Sequence, residues 1–193
     1  VSKRDRITEL SAVLAFSAMG NNDKVGAILF SDRIEKFIPP KKGKSHVLRI
    51  IREIIEIEPD GKGTDITNAL DHFLSAMKKR TVSFLLSDFR DSGYEELLKR
   101  AGRKHDFVAL KIEDPIDLDI PDVGWLPLKD PESGETKWMR TGSKKDRTKY
   151  KAIELERSDS LKRAFARAGI DSTTIRTDLP YIKPLMQLFD RRG

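Results

Sequence analysis

Three short runs of apolar residues, each closed by turn residues, limit what this chain can fold into more than any other feature of the sequence. They lie at residues 25–30, 81–87 and 107–112. A continuous apolar run of this length indicates a strand that is buried on both faces. Longer segments with apolar residues at helical spacing separate the runs. This alternation favours an α/β fold with a doubly wound, mainly parallel sheet.

The remaining segments complete a single domain over residues 1–193. Helices are predicted where apolar residues recur at every third or fourth position, at residues 5–20, 45–57, 64–77, 92–103, 145–168 and 180–190. A small edge strand is predicted at 34–38 and a last strand at 172–176. The alternation breaks at about 113–142, where an acidic, proline-containing stretch precedes two short strands around a turn at 130–134. We interpret this stretch as an acidic loop and a β-hairpin inserted into the α/β domain.

Composition excludes several classes of protein. The chain has 37 Lys and Arg against 31 Asp and Glu, for a net charge of +6. The basic residues form short clusters at predicted helix ends and in loops. Cations at the carboxyl end of a helix complement its dipole, and this explains the clusters better than binding of nucleic acid does. The absence of cysteine excludes disulfides and thiol catalysis. With no apolar run of about 18 residues and no signal peptide, we expect a cytoplasmic chain that binds neither nucleic acid nor a membrane.

The sequence offers no complete catalytic motif. The glycine-rich turn at 60–65 lacks the Ser or Thr that must follow Gly-Lys in a phosphate-binding loop. The histidines His46, His72 and His105 do not have metal-ligand spacing, so we interpret them as surface or packing residues. The spacing of acidic residues at 113–122 does not match a calcium-binding loop. We therefore interpret this stretch as an acidic loop exposed to solvent. We therefore predict that the chain is not an enzyme.

Two polar residues follow elements that end at the predicted carboxyl edge of the sheet. Thr64 comes after the glycine-rich turn, and Asp88 comes after the second buried strand. Open α/β sheets bind ligands at that edge, so with Ser31, Asp32 and Asp65 these residues form a candidate partner-binding edge. A purely structural interpretation is that Thr64 and Asp88 cap the helices that follow them.

Several segments occur together in one order along the chain. They are DKVGAILFSD at 23–32, GTDI at 63–66 followed by Ala69-Leu70, FLLSDF at 84–89, HDFVAL at 105–110, Asp114-Pro115, IPDVG at 120–124, DPESG at 130–134 and Tyr150. On these segments the chain resembles a von Willebrand factor A domain, and more closely the bacterial branch called domain of unknown function 58. The resemblance covers nearly the whole chain, including the hairpin.

The resemblance implies a metal-ion-dependent adhesion site. In such a site an Asp-x-Ser-x-Ser loop, a Thr and an Asp hold Mg²⁺ or Mn²⁺, and one position stays open for a partner's carboxylate. Thr64 matches that Thr and Asp88 matches that Asp. The loop, which in the family follows the first, central strand, does not occur in these 193 residues. We therefore expect a fragment whose sheet lacks the central strand, whose metal site is incomplete, and which aggregates or melts at low temperature by itself.

The resemblance also implies a function. Members of that branch are typically found beside MoxR-type AAA+ ATPases, so we predict a non-enzymatic interaction module that helps such an ATPase assemble or activate client proteins. Two alternatives stay open: a metal-assisted phosphoesterase using Asp88, with Asp65 and Asp91 as further carboxylates, and a nucleic-acid-binding domain. Trp125 and Trp138 of the hairpin form either a small satellite core, which the sequence favours, or a second contact surface.

Overall fold

The computed structural model describes residues 1–129 and 136–192. Its elements in chain order are α1 (Lys3–Gly20), β1 (Val25–Phe30), β2 (Ile34–Lys41), α2 (Lys44–Glu56), α3 (Ile66–Ala76), β3 (Val82–Ser87), α4 (Glu95–Lys104), β4 (Asp106–Glu113), α5 (Pro115–Leu118), β5 (Trp125–Lys129), β6 (Thr136–Arg140), α6 (Lys144–Ala168), β7 (Asp171–Arg176) and α7 (Ile182–Asp190). Each predicted helix and strand is present within a few residues of its expected bounds, and α5 is an additional short helix. The predicted turn at 130–134 lies outside the described residues.

A parallel sheet of three strands forms the centre of the molecule. β4 lies between β3 and β7, with Leu85 of β3 opposite Ala109 and Thr173 of β7 opposite Leu110. Side chains of β4 alternate between two separate hydrophobic clusters, Ala109 belonging to one and Leu110 to the other. Both residues are fully buried. The predicted burial of both faces is therefore confirmed for β4. It is wrong for β1, which has no buried residue, and β3 is buried only at Leu85 and Ser87.

Helices cover both faces of this sheet. α3, α4 and α6 contribute Leu70, Leu98 and Phe165 to the cluster on one face. α1 and α7 contribute Leu10 and Leu188 to the cluster on the other face. Each such buried side chain stabilises the fold by about 1.5–3 kcal/mol relative to an exposed one. Among the described residues, no helix has both the length and the apolar content needed to cross a bilayer.

The expectation that β1 joins the parallel sheet is wrong. β1 pairs with β2 in an antiparallel sheet of two strands. Residues 31–33 alone connect the two strands, and a connection this short permits only antiparallel pairing. Ile38, Ile50 and Ile54 form the cluster between this pair and α2. Gly26 is required there, because a Cβ at this position would lie 2.8 Å from the carbonyl oxygen of Ile38.

The insertion at 113–142 contains the predicted hairpin, in which β5 and β6 pair antiparallel. Its acidic part is not simply a solvated loop. Glu113 is buried beside the Lys111 ammonium, which donates to it at 2.6 Å, and Asp114 accepts from Thr177 Oγ1 at 2.9 Å. Trp125 and Trp138 are each 65% exposed, so the satellite core that the sequence favours is not formed by these two rings.

The three histidines lie in separate parts of the fold. His46 Nε2 is 2.9 Å from a backbone oxygen of β1. The ring of His72 lies edge-on to Phe37, with centroids 5.2 Å apart. His105 is buried, with its Nδ1 3.2 Å from Thr81 Oγ1. These contacts agree with the packing role expected from the sequence.

His105 is expected to make stability depend on pH. Burial, and then the charge of Lys104, lower the pKa of His105 below its ordinary value of 6.5. Because its pKa is lower in the folded state, the stability that neutral His105 contributes is present above about pH 6.5 and is lost as the pH falls. Urea unfolding should show a loss of at most about 1.4 kcal/mol per pH unit for this one proton.

His105→Gln should flatten that pH dependence between about pH 6.5 and 5, because glutamine does not titrate. His46→Gln is the matched control for the loss of one imidazole ring. An unaltered slope in His105→Gln would show that another group takes up the proton.

Candidate functional site

Three loops meet where β1 and β3 end and where α3 begins. They are residues 31–35, 61–66 and 88–91, and together we call them the carboxyl edge. The amide of Asp65 donates to the carbonyl oxygen of Ser31 at 2.8 Å, and the amide of Ile66 donates to Asp91 Oδ2 at 2.7 Å. These two bonds join the loops that carry all of the predicted edge residues, which are Ser31, Asp32, Thr64, Asp65 and Asp88.

Two carboxylates of the first loop hold the glycine-rich turn. The hydroxyl of Ser31, which is buried, donates to Glu35, and the amide of Gly61 donates to Glu35 Oε1 at 3.0 Å. The amide of Lys62 donates to Asp32 Oδ2 at 3.3 Å. A Cβ on Gly61 would lie 2.1 Å from Ser31 Oγ and 2.2 Å from Asp32 Oδ1. The loops therefore approach so closely that a side chain at position 61 would displace the side chains of Ser31 and Asp32.

Hydrogen bonds also keep these two carboxylates ionised. The Arg33 side chain, and then the amide of Lys62, hold the pKa of Asp32 below its ordinary value. The Ser31 hydroxyl, and then the amide of Gly61, do the same for the pKa of Glu35. Groups that stay charged at neutral pH are suited to binding cationic groups and poorly suited to proton transfer.

Asp65, and not Thr64, caps α3. The helix begins at Ile66, and Asp65 Oδ1 accepts from the amide of Asn68 at 2.7 Å. The structural interpretation of Thr64 as the cap is therefore wrong by one residue. Thr64 is exposed at the carboxyl edge, between the glycine-rich turn and the capped helix. Asp91 satisfies a second amide at the same helix start.

Asp88 does not cap the helix that follows it. α4 begins only at Glu95, with Tyr94 at the N-cap position, so this structural interpretation is wrong as well. Asp88 Oδ1 accepts from the amide of Arg90 at 3.3 Å, and Asp88 Oδ2 accepts from the ammonium of Lys3 at 3.1 Å. Asp88 therefore links the end of β3 to the start of α1.

Phe89, the residue after Asp88, holds the loop at 88–91 in place. Phe89 has a φ of 53°, a left-handed conformation that costs a residue with a side chain roughly 1 kcal/mol or more. The amide of Phe89 donates to Ser87 Oγ at 3.1 Å, and Arg157 donates to its carbonyl oxygen at 3.2 Å. Its buried ring packs edge-on against Phe165, with centroids 5.0 Å apart. These contacts offset the strain and hold Asp88 in one position.

A network of charges surrounds Asp88. The Lys3 ammonium lies 3.1 Å from Asp88 and 2.8 Å from Asp117 of α5. The Arg90 guanidinium lies 3.2 Å from Asp117 and 3.4 Å from Glu154 of α6. The network thus joins α1, the end of β3, α5 and α6. Sequence reasoning missed Lys3, Arg90, Asp117 and Glu154 as a group, because they are far apart in the chain and no local motif relates them.

The network shifts two pKa values in opposite directions. Burial disfavours the charge of Lys3, but its hydrogen bond to Asp117 and the attraction of both carboxylates outweigh that effect and raise the pKa of Lys3. Burial likewise opposes the charge of Asp117, but the bonds from Lys3 and from the Asp114 amide outweigh it and lower its pKa. Stability from Asp117 is therefore lost as the pH falls below about 3.8, and stability from Lys3 is lost as the pH rises above about 10.5.

We expect Lys3→Met to reduce the free energy of unfolding at neutral pH by about 1 kcal/mol or less, since the pair is partly exposed to solvent. Lys3→Met, Asp117→Asn and the double variant should form a non-additive cycle in urea unfolding at pH 7. The coupling should weaken progressively as the pH falls below about 3.8, because protonation of Asp117 removes the charge that pairs with Lys3. Additive effects at pH 7 would contradict the pairing of Lys3 with Asp117.

The described residues do not fit the metal ion that the family resemblance implies. Within residues 1–129 and 136–192, no group of three or more His, Asp or Glu side chains is placed to hold a metal. The resemblance implies that Asp88 is the Asp ligand of the metal. In this structure the ammonium of Lys3 contacts the carboxylate of Asp88. A divalent cation beside Asp88 would be repelled by that ammonium. The cation that contacts Asp88 is therefore the ammonium of Lys3.

Two solved structures have a fold similar to that of this chain. The first is the conserved hypothetical protein BatB from Bacteroides thetaiotaomicron, with a TM-score of 0.55 and 16% identity, covering 97% of this chain and 87% of that one. The second is an aerotolerance-related membrane protein from Bacteroides fragilis, with a TM-score of 0.58 and 17% identity, covering 98% and 86%. At such identities the likeness establishes the fold alone.

Similar sequences occur among mycobacterial proteins. Uncharacterized proteins of Mycobacterium tuberculosis (strain H37Rv) and Mycobacterium bovis are each 24% identical over 193 residues, which is 98% of this chain. The chain spans 61% of the length of these relatives. A family model described as protein of unknown function DUF58 matches residues 1–160. Because that match covers most of the chain, the chain belongs to the DUF58 family.

Proposed function

We propose that this chain is a non-enzymatic module that binds other proteins through its carboxyl edge. Its proposed partner is an AAA+ ATPase of the MoxR type, with which it assembles or activates client proteins. The observation that carries the proposal is the fixed position of Asp88, half-buried at an edge whose loops are cross-linked by hydrogen bonds. A surface that is already ordered loses little conformational entropy when it binds.

The bonding of the carboxylates favours binding over catalysis. Asp65 and Asp91, which the phosphoesterase alternative requires, both accept backbone amides at the start of α3. Asp88 is neutralised by Lys3. Carboxylates whose oxygens serve such structural bonds are poorly placed to activate a water molecule or to bind a metal with a substrate.

We further propose that the fold is of the von Willebrand factor A type. A parallel sheet with helices on both faces, an antiparallel strand pair beside it and polar loops at the carboxyl ends support this proposal. In such a fold the partner's acidic side chain reaches a cation at the edge. Here the ammonium of Lys3 lies beside Asp88, so any Mg²⁺ or Mn²⁺ would have to displace that ammonium.

The direct test is binding of the full chain to a purified MoxR-type ATPase from the same organism, with Mg²⁺-ATP and with EDTA. We expect Asp88→Asn and Thr64→Ala to weaken binding by about tenfold or more, as removal of a central polar contact does. Asp159→Asn is the matched control, because Asp159 is an exposed carboxylate of α6 that pairs only with Lys162 among the described residues.

Each result decides one part of the proposal. Binding that is lost in EDTA supports a metal-bridged contact, and binding that is kept in EDTA supports a contact made by side chains alone. Absence of binding under both conditions contradicts the ATPase partner. Hydrolysis of a generic phosphate ester that Asp88→Asn abolishes would contradict the non-enzymatic role.

A further inference from the structure

The hairpin presents both tryptophans of the chain to solvent on one face. Trp125 is opposite Arg140, and Pro127 is opposite Trp138. Residues two apart in a strand, and residues directly opposite, share a face of a two-stranded ribbon. Trp125, Pro127, Trp138 and Arg140 therefore lie on the same face, and each tryptophan is 65% exposed. We call this set the tryptophan face.

Other exposed apolar side chains belong to the same insertion. Val123, two residues before Trp125, is exposed, as is Ile116 on the short helix α5. Aliphatic side chains gain from contact with hydrocarbon, whereas they neither stack on nucleic-acid bases nor pair with phosphates. Their exposure in the same insertion as the tryptophan face favours a partner with an apolar layer.

The chain next to this face is strongly basic. Residues 136–151 contain seven Lys and Arg and one acidic residue, Asp146. Lys144, Lys145 and Lys149 are exposed on the first turns of α6, immediately after the hairpin. A surface of this charge is complementary to an anionic one.

Hydrogen bonds hold the hairpin in a defined place. Thr141, which is fully buried, accepts from the amide of Val123 at 2.8 Å and donates through Oγ1 to the carbonyl oxygen of Gly124 at 2.9 Å. The side chain of Arg147 donates to the carbonyl oxygen of Thr141. Hydrogen bonds thus hold the base of the hairpin and the start of the basic helix together.

We infer that the tryptophan face and the basic start of α6 form a docking surface for an anionic phospholipid bilayer. Tryptophan prefers the boundary between headgroups and hydrocarbon, and lysines beside it pair with lipid phosphates. A bilayer accepts protruding apolar side chains without a pocket of matching shape, which suits an exposed ribbon. This inference departs from the sequence-based expectation of no membrane partner, and it concerns attachment to the surface of a membrane. It is independent of the proposed ATPase contact.

The chain supplies its own probe for a test. Trp125 and Trp138 are the only tryptophans in the sequence, so tryptophan emission reports this face alone. With vesicles of roughly equal parts phosphatidylcholine and phosphatidylglycerol, the emission maximum should move to shorter wavelength, and the protein should float with the vesicles. About 0.5 M NaCl should reverse both effects, because it screens the charges.

Variants separate the two components of the surface. Trp125→Ala and Trp138→Ala should each weaken partitioning about tenfold, and Lys144→Glu with Lys145→Glu should do the same on anionic vesicles. Phe16→Ala is the matched control, because Phe16 is an exposed aromatic residue of α1, and it should partition normally. Trp125→Phe and Trp138→Phe leave one probe each and should both keep the shift in emission.

Three results would overturn the inference. The first is emission that does not change with anionic vesicles. The second is equal binding to vesicles of phosphatidylcholine alone, because the basic helix would then have no role. The third is a shift with oligothymidylate but not with vesicles, which would assign the face to single-stranded nucleic acid. No ATPase is present in these experiments, so they are decided separately from the proposed protein contact.

Discussion

Arg6→Ala is expected to lower the free energy of unfolding by about 3–5 kcal/mol, because it removes the hydrogen bonds of a buried cation. Arg6 is 7% exposed. Its Nη2 donates to the carbonyl oxygens of Thr177 at 2.8 Å and Leu179 at 3.3 Å, and its Nη1 donates to Glu9 at 2.8 Å. Hydrogen bonds from a charged donor are each worth about 1.5–3 kcal/mol. Alanine would remove this donor from the buried carbonyl oxygen of Thr177.

Arg6→Ala should also weaken the attachment of α7 to the rest of the fold. The guanidinium of Arg6 lies over the ring of Tyr181, 5.1 Å from its centroid, just before α7 begins. Hydrogen exchange of the α7 amides should therefore accelerate in Arg6→Ala.

Arg6→Met is the control that separates packing from charge. It keeps most of the apolar stem, so we expect a loss of about 1–3 kcal/mol in urea unfolding. A loss below about 1 kcal/mol in Arg6→Ala would contradict the view that this cation anchors α1 to the segment after β7.

Phe165→Ala is expected to cost about 3–5 kcal/mol of stability, since truncating a buried phenylalanine leaves a cavity. Phe165 is almost fully buried on α6, and its ring supports that of Phe89 at 5.0 Å. Phe89 is held in a left-handed conformation directly after Asp88. The variant should thus loosen the carboxyl edge as well as the core.

Two measurements check these consequences of Phe165→Ala. Urea unfolding gives the loss of stability, and hydrogen exchange at residues 88–91 should be faster than in the unmodified protein under native conditions. Phe165→Leu keeps most of the side-chain volume and should cost less than about 1.5 kcal/mol, with exchange at 88–91 nearly unchanged. Equal exchange at 88–91 in both variants would show that Phe165 does not support the Asp88 loop.

Local patterns predicted the elements of this fold well, but they did not predict every pairing. The continuous apolar run at 107–112 correctly indicated a strand with two buried faces, because both faces of β4 are covered by helices. The run at 25–30 looks the same in sequence but pairs antiparallel with β2. Apolar runs do not encode strand direction, whereas the three-residue connection at 31–33 does. The helix α5 has its own signal, since Asp114 and Asp117 form a capping box around Pro115.

Local sequence predicted where two of the candidate site residues lie. Asp88 was expected at the carboxyl edge because it directly follows β3, and Thr64 because it follows the glycine-rich turn before α3. That these residues bind a partner stays a prediction. Lys3 and Asp117 were not found, since an ion pair between α1 and α5 depends on how helices pack around the sheet. The exposure of Trp138 was also missed, because hydrophobicity alone favours burial and says nothing of whether a covering element exists.

The helix α6 is 25 residues long, about 37 Å at 1.5 Å per residue, and only its last third reaches the hydrophobic core. Leu161, Phe165 and Ala168 make that contact. The hairpin and the leading turns of α6 are therefore an appendage, and their sequence and length can vary without opening a cavity beneath the sheet. Substitutions in this appendage can therefore change the surface that it presents while the sheet and the carboxyl edge keep their packing.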